Sequence, residues 1–150
     1  MPAQLQPFFN NQSRLLSEGR ISALAQFYNL PLPVFLPRDS AWHLLQSRGA
    51  VVEAFWEKFC GIRGAGVGRL RACVNQEMVS HPARAQAQVV WFYVGEDGRR
   101  LGRTVAVYFM SRRPAGLKVD MMEFRRIAFP QLNDWFSRNA GRVTDTPPLS

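Results

Sequence analysis

The stretch LKVDMMEF, residues 117 to 124, sets Asp120 and Glu123 three positions apart in a run that otherwise reads as a strand. Side chains on a strand alternate with period two, so an odd spacing sends the two acids to opposite faces. One face carries Leu117, Val119, Met121, Glu123, Arg125 and Ile127; the other carries Lys118, Asp120, Met122, Phe124 and Arg126. The first set is apolar for three consecutive positions before Glu123, which makes it the expected pocket side. A carboxyl held among Val119 and Met121 has its charged form disfavoured, and its pKa moves toward that of a useful general acid or base. The competing role for Glu123 is a structural ion pair with Arg125 or with an arginine of a neighbouring strand.

Other side chains with chemical potential are few. His43 alternates with Trp42 and Leu44 and can reach a pocket rim, whereas His81, beside Pro82, is expected to be solvated in a turn. These are the only histidines, and no cysteine or carboxylate repeats at ligand spacing beside them, so no metal site is expected. GIRGAGVGRL follows a helix and precedes a strand, the reverse of the order a dinucleotide fingerprint needs, and reads as a turn. No Gly-x-Ser-x-Gly elbow is present. Cys60 and Cys73 are too few for a disulfide framework and are expected as buried thiols.

The 150 residues suit one domain with a single core, 47% apolar and 20% charged. Charges interrupt every apolar run before it reaches a membrane span, and MPAQLQPFF lacks the start of a signal peptide, so the expected compartment is the cytoplasm. The net charge of +8 comes from seventeen arginines against two lysines. The arginines are scattered, with no basic stripe interleaved with aromatics, which argues against a nucleic-acid partner.

The elements that must position these side chains follow from periodicity. Residues 1–6 are expected as a flexible end. Pro7 opens a helix with Phe8, Phe9, Gln12, Leu15 and Leu16 in helical register and Gly19 as its stop. A short helix follows over Ile21 to Tyr28. LPLPVFLP, with three prolines, is expected as an irregular edge segment and not as a central strand. AWHLLQ suits a short strand, and Ser47 caps a helix over Arg48 to Arg63 with Val52, Phe55, Trp56, Phe59 and Cys60 on its apolar face. The period then switches to two, with strands expected over Val67–Val79, Ala83–Val94, Arg103–Arg112 and Leu117–Ile127. Asp97-Gly98 marks a hairpin turn. A short helix over Pro130–Asn139 closes the domain at 139, and residues 140–150 are expected as a flexible tail. The result is an α+β layout: N-terminal helices packed on a strongly curved antiparallel sheet, with a short C-terminal helix. Val89 to Val94 is apolar on both faces, so the outer face of the sheet also needs cover, most economically from a second subunit, with the C-terminal helix as the alternative.

Several landmarks in this order resemble the nuclear-transport-factor-2-like superfamily, which includes ketosteroid isomerase, scytalone dehydratase, SnoaL-type polyketide cyclases and non-catalytic binding domains. The landmarks are Gly19 to Tyr28, Gly49 to Trp56 and Gly116 to Val119, and the resemblance spans about residues 8 to 127. It implies a cone in which sheet and helices enclose a mostly apolar pocket, with dimerisation through the outer face of the sheet. The isomerases place an acidic base immediately before a proline in the irregular segment; here the matching position, before Pro37, is Leu36, which cannot abstract a proton. The cyclases are similar in placing an acid on the last strand after a Gly-x-x-Val start, and Glu123 falls at that offset, although Met121-Met122 stands where histidine or tryptophan is frequent.

The expected pocket is lined by Trp42, Phe55, Trp91, Tyr108, Met121 and Glu123. It would bind a small hydrophobic molecule by apolar burial, with no cofactor and no metal. As an enzyme, the protein would perform cofactor-free acid–base chemistry of the isomerase, dehydratase or cyclase kind, with Glu123 as acid or base and Tyr108 or His43 as its hydrogen-bonding partner. The alternative is a non-catalytic dimeric interaction module whose cone is filled by its own side chains.

Overall fold

The computed structural model describes residues 4–37, 40–127 and 141–142. Its elements are α1 (Gln6–Ser17), α2 (Ile21–Ala25), β1 (Leu32–Leu36), β2 (Ala41–Leu45), α3 (Arg48–Gly64), β3 (Val67–His81), β4 (Arg84–Gly95), β5 (Arg100–Arg113), β6 (Gly116–Ile127) and β7 (Gly141–Arg142). The strands form one sheet in the order β3-β4-β5-β6-β1-β2-β7. This is the expected α+β architecture of helices on a curved sheet. The expected helix over Pro130–Asn139 lies outside the described residues, and Gly141–Arg142, inside the expected tail, pair with β2.

Caps and turns follow the local chemistry. Ser47 accepts a hydrogen bond from the Ala50 amide at 3.1 Å and starts α3. Gly19, at φ +73°, ends α1: its amide bonds Leu16 O and the Arg20 amide bonds Leu15 O, the paired closure that a left-handed residue permits. The β4–β5 hairpin closes through Gly98 N to Gly95 O and Gly95 N to Arg99 O.

α1 lies along the free edge of β3 and satisfies its backbone. Ser13 Oγ donates to Leu70 O at 2.6 Å, and Ser17 Oγ accepts from Leu70 N at 2.9 Å. Gln6 bonds both Ala72 O and Val74 N, each at 2.9 Å. In return, the Glu77 carboxylate of β3 accepts the amides of Gln4 and Leu5 at the start of α1, where a negative charge suits the helix dipole. These contacts cover an edge that would otherwise template pairing with another chain. Gln4, Leu5 and Gln6 all take part in these contacts.

Three further expectations are corrected. The sheet is mixed, because β1 runs parallel to β6 through Val34–Met122 and Phe35–Glu123. β1 is interior, bonded to β2 on its other side, despite its prolines. Pairing with β6 begins one residue after Pro33, so the missing donor falls outside that ladder. Cys60 and Cys73 are exposed, not buried, on α3 and β3.

Register shifts in the ladders of β3, β4, β5 and β6 bend the sheet around its helices. The concave side holds the core: Ala85, Ala87, Val89, Trp91 and Tyr93 of β4, Thr104, Ala106, Tyr108 and Met110 of β5, and Val119, Met122 and Phe124 of β6 are all buried there.

Candidate functional site in the cone interior

The shift on β6 decides which acid faces the interior. Met110 pairs with Val119 while Phe109 pairs with Met121, so Asp120 is an extra residue without a ladder position opposite it on β5. Past this bulge the alternation reverses, and Met122 and Phe124 follow Val119 inward. Asp120 and Met121 stand on the outer side, lining one shallow groove with Phe109, Pro33 and Arg84. Asp120 accepts hydrogen bonds from Asn29 Nδ2 at 2.7 Å and Ser111 Oγ at 3.1 Å. Glu123 is also outward and half-buried, with its carboxylate 3.8 Å from the Arg125 guanidinium. The expectation that Met121 and Glu123 face the interior is therefore corrected: both acids share the convex face, and Glu123 has the ion-pair partner that competed for it.

The remaining expected site residues divide. Trp42 is outward, its ring centre 5.3 Å from that of Phe35 across the β1–β2 pair, so it does not line the interior. His43 is buried on the inner side of β2 opposite Val34. Phe55 is buried on α3 with its ring 5.0 Å from Tyr28. Trp91 and Tyr108 come together in the core, where the indole N–H donates to the phenol oxygen at 2.8 Å. Phe9 of α1 packs on both, with ring centres 4.8 Å from Tyr108 and 6.2 Å from Trp91.

The interior also holds polar groups that the sequence reading missed. α3 buries Val51, Ala54, Phe55, Lys58 and Ile62, a stripe rotated from the expected one, while Trp56 is 50% exposed. Lys58 is 4% exposed, and its Nζ lies 5.9 Å from the Trp91 ring centre, 6.0 Å from Tyr93 and 5.9 Å from Phe124. Burial disfavours its ammonium and pulls its pKa from the ordinary lysine value down to about 7. The same burial pushes the phenols of Tyr28, Tyr93 and Tyr108 well above their ordinary value. Tyr93 Oη and Thr104 Oγ1 form a buried hydrogen bond of 2.8 Å beside this cluster. On α1, one turn after Phe9, Gln12 is 2% exposed, and among the described residues neither end of its carboxamide has a hydrogen-bond partner.

A sequence signal for Lys58 does exist. It follows Phe55 by three residues and precedes Ile62 by four, the spacing of one helical face, in a chain with only two lysines. Gln12 sits likewise between Phe9 and Leu16 in the register of the α1 core stripe.

Chemically, the interior offers a desolvated amine facing three aromatic rings, a carboxamide able to donate and accept, and paired hydroxyls. Among the described residues, no group of three or more histidine, cysteine, aspartate or glutamate side chains could hold a metal ion, and no helix is long and apolar enough to cross a membrane.

Comparison with solved structures finds the same architecture at low identity. A domain of unknown function with a cystatin-like fold from Nostoc punctiforme superposes with a TM-score of 0.65 at 12% identity, over 89% of this chain and 82% of that one. A function-unknown protein from Mycobacterium tuberculosis gives 0.65 at 11% identity, over 94% and 91%. An NTF2-like protein with a cystatin-like fold from Novosphingobium aromaticivorans gives 0.60 at 14%, over 81% and 78%. These likenesses establish the fold alone. No curated protein sequence matches the chain. The family described as NTF2-like protein (DUF6841) matches residues 2–124, and with the cone and its curved sheet in place the chain belongs to that NTF2-like family.

Proposed function

We propose that the protein is a small-molecule-binding domain that takes a mostly apolar, aromatic ligand into the cone interior and orients it through a few polar groups. The observation that carries this reading is Gln12. A buried carboxamide without hydrogen bonds costs about 1–3 kcal/mol for each unsatisfied group, so a core that retains one needs a compensating use. A ligand hydroxyl or carbonyl meeting Gln12 supplies both the hydrogen bond and the reason. Phe9, Trp91 and Phe124 supply apolar surface in the same core.

The same geometry moves any acid–base role away from Glu123, which pairs with Arg125 outside, and toward Lys58, the amine facing the interior rings. For the assembly we propose pairing of two copies through the convex face. Phe35 and Trp42 meet edge to face there, and Phe109 and Met121 line a groove on the same face. Analytical ultracentrifugation giving a monomer at micromolar concentration would remove the pairing.

The binding reading is tested by calorimetric titration with 2-naphthalenemethanol, an apolar aromatic alcohol. Saturable one-to-one binding with Kd below about 1 mM, near −4 kcal/mol, is expected. Gln12→Leu should weaken it about tenfold while raising stability, since it removes the unsatisfied amide. A Gln12→Leu variant that is less stable and binds equally well would overturn the reading.

A further inference from the structure

The convex face of the sheet gathers arginines that lie far apart in the sequence. Arg69 and Arg71 of β3 stand opposite Val94 and Phe92 of β4. On the other side of β4, Val94 pairs with Arg100 and Phe92 with Arg103 of β5. One step along, Val105 of β5 pairs with Arg126 of β6. Trp91 and Tyr93 point into the core, so alternation sends Phe92 and the arginines opposite it outward. All five arginines are exposed, and among the described residues none has an ion-pair partner. The acids at the margins are Glu123, paired with Arg125, and Glu96, which lines a shallow depression with Arg69. Like charges collected in this way repel one another, and a bound anion relieves that repulsion. Strand pairing thus builds a basic stripe that the linear sequence shows only as scattered residues.

We propose that this end of the convex face binds single-stranded nucleic acid, with backbone phosphates on Arg71, Arg103 and Arg126 and a base stacked on Arg100. Reach is the first argument. From β3 to β6 the stripe crosses three strand spacings, about 14 Å, which outspans one phosphate or carboxylate and suits an anion of repeating charge. Residue choice is the second: the chain has seventeen arginines against two lysines, and a guanidinium fork grips phosphate oxygens in pairs. The third is the stack. The Arg100 guanidinium carbon lies 4.1 Å from the centre of the Phe92 ring, so one side of the cation rests on the aromatic face. Arg100 is exposed, and its outer side offers a plane on which an unpaired base stacks. An acidic peptide would use the charges and leave that plane idle, and a duplex keeps its bases inside. Half-buried Val90 and Val105 complete an apolar floor between the arginines. Arg103 stands about 20 Å along β5 from Phe109 of the groove proposed for pairing, so two copies joined there leave the stripe open. The inference is independent of the ligand reading above.

The test is fluorescence anisotropy of the full chain with a fluorescein-labelled oligoadenylate of about twelve nucleotides, from about 50 to 200 mM salt. A Kd between about 1 and 100 μM is expected at the lowest salt, with log affinity falling against log salt at a slope of about −2, the value for three phosphates. The double variant Arg71→Gln/Arg103→Gln should weaken binding at least tenfold and flatten the slope by about 1.4. Arg100→Lys, which keeps the charge and loses the plane, should weaken it at least threefold at unchanged slope. The charge-matched Arg112→Gln/Arg113→Gln, at the other end of β5, should change affinity by less than threefold. A Kd above about 1 mM at the lowest salt, or equal losses in the two double variants, overturns the site. An oligoglutamate of equal charge that binds as tightly, with Arg100→Lys unaltered, overturns the nucleic-acid assignment in favour of an acidic peptide.

Discussion

Lys58 Nζ stands 5.9 Å from the centre of the Trp91 ring, and the N–H of that same indole donates to Tyr108 at 2.8 Å. One aromatic side chain thus links the buried amine of α3 to the hydroxyl of β5. The relationship makes the cone interior a polar cluster set in an aromatic shell.

The buried amine makes stability depend on pH. Between about pH 7 and pH 10 the unfolded chain carries one more proton at Lys58 than the folded chain, so stability rises with pH through that window. Above about pH 10 the buried phenols of Tyr28, Tyr93 and Tyr108 keep protons that the unfolded chain releases, and stability falls again. Urea denaturation from pH 6 to 11 should therefore show a maximum near pH 10. The rise from pH 7 should disappear in Lys58→Met, which should be more stable than wild type at pH 6 by a few kcal/mol. A parallel rise in Lys58→Met would assign the pH dependence elsewhere.

Trp91 and Tyr108 form a coupled pair. Trp91→Phe leaves the buried Tyr108 hydroxyl without its donor, and Tyr108→Phe leaves the indole N–H without its acceptor. Each should cost about 1–3 kcal/mol, and the double variant should cost less than the sum by about 1 kcal/mol. Additive losses in a urea double-mutant cycle would show that the bond contributes nothing specific.

Gln6 bridges α1 to two backbone groups on the free edge of β3. Gln6→Ala should lower the urea midpoint by the equivalent of about 1–2 kcal/mol and speed amide exchange at Val74. Unchanged exchange there would mean that the edge is protected without Gln6.

Glu123 pairs with Arg125 on the convex face, where such pairs contribute little. Glu123→Gln should shift stability by less than about 0.5 kcal/mol and leave 2-naphthalenemethanol affinity unaltered. A tenfold loss of that affinity would return the carboxylate to the site.

Local chemistry was legible in the residues themselves. Ser47 caps α3, Gly19 stops α1, Gly98 lies in the β4–β5 turn, and the switch to period two marks the meander, because each depends on neighbours within a few positions. His43, expected at a pocket rim, and Phe55, Trp91 and Tyr108, expected to line the pocket, are all buried. What failed was parity and rotation. Reading β6 as unbroken put Met121 and Glu123 inside; the bulge at Asp120 reverses the faces, and it arises from how β6 meets β5, which no local pattern encodes. Trp42 went outward with Phe35 because β1 takes an interior place and turns Val34 and His43 to the core. α3 is apolar on more than one side, so its packing partners, not its own period, selected the stripe that buries Lys58. Sequence alone therefore determined α1, α2 and α3, the strands β2 to β6 and the α+β class, because those follow from short-range periodicity. Only the tertiary structure decided that the interior amine is Lys58 and that both acids of LKVDMMEF face outward, because strand pairing and helix rotation are settled between distant segments.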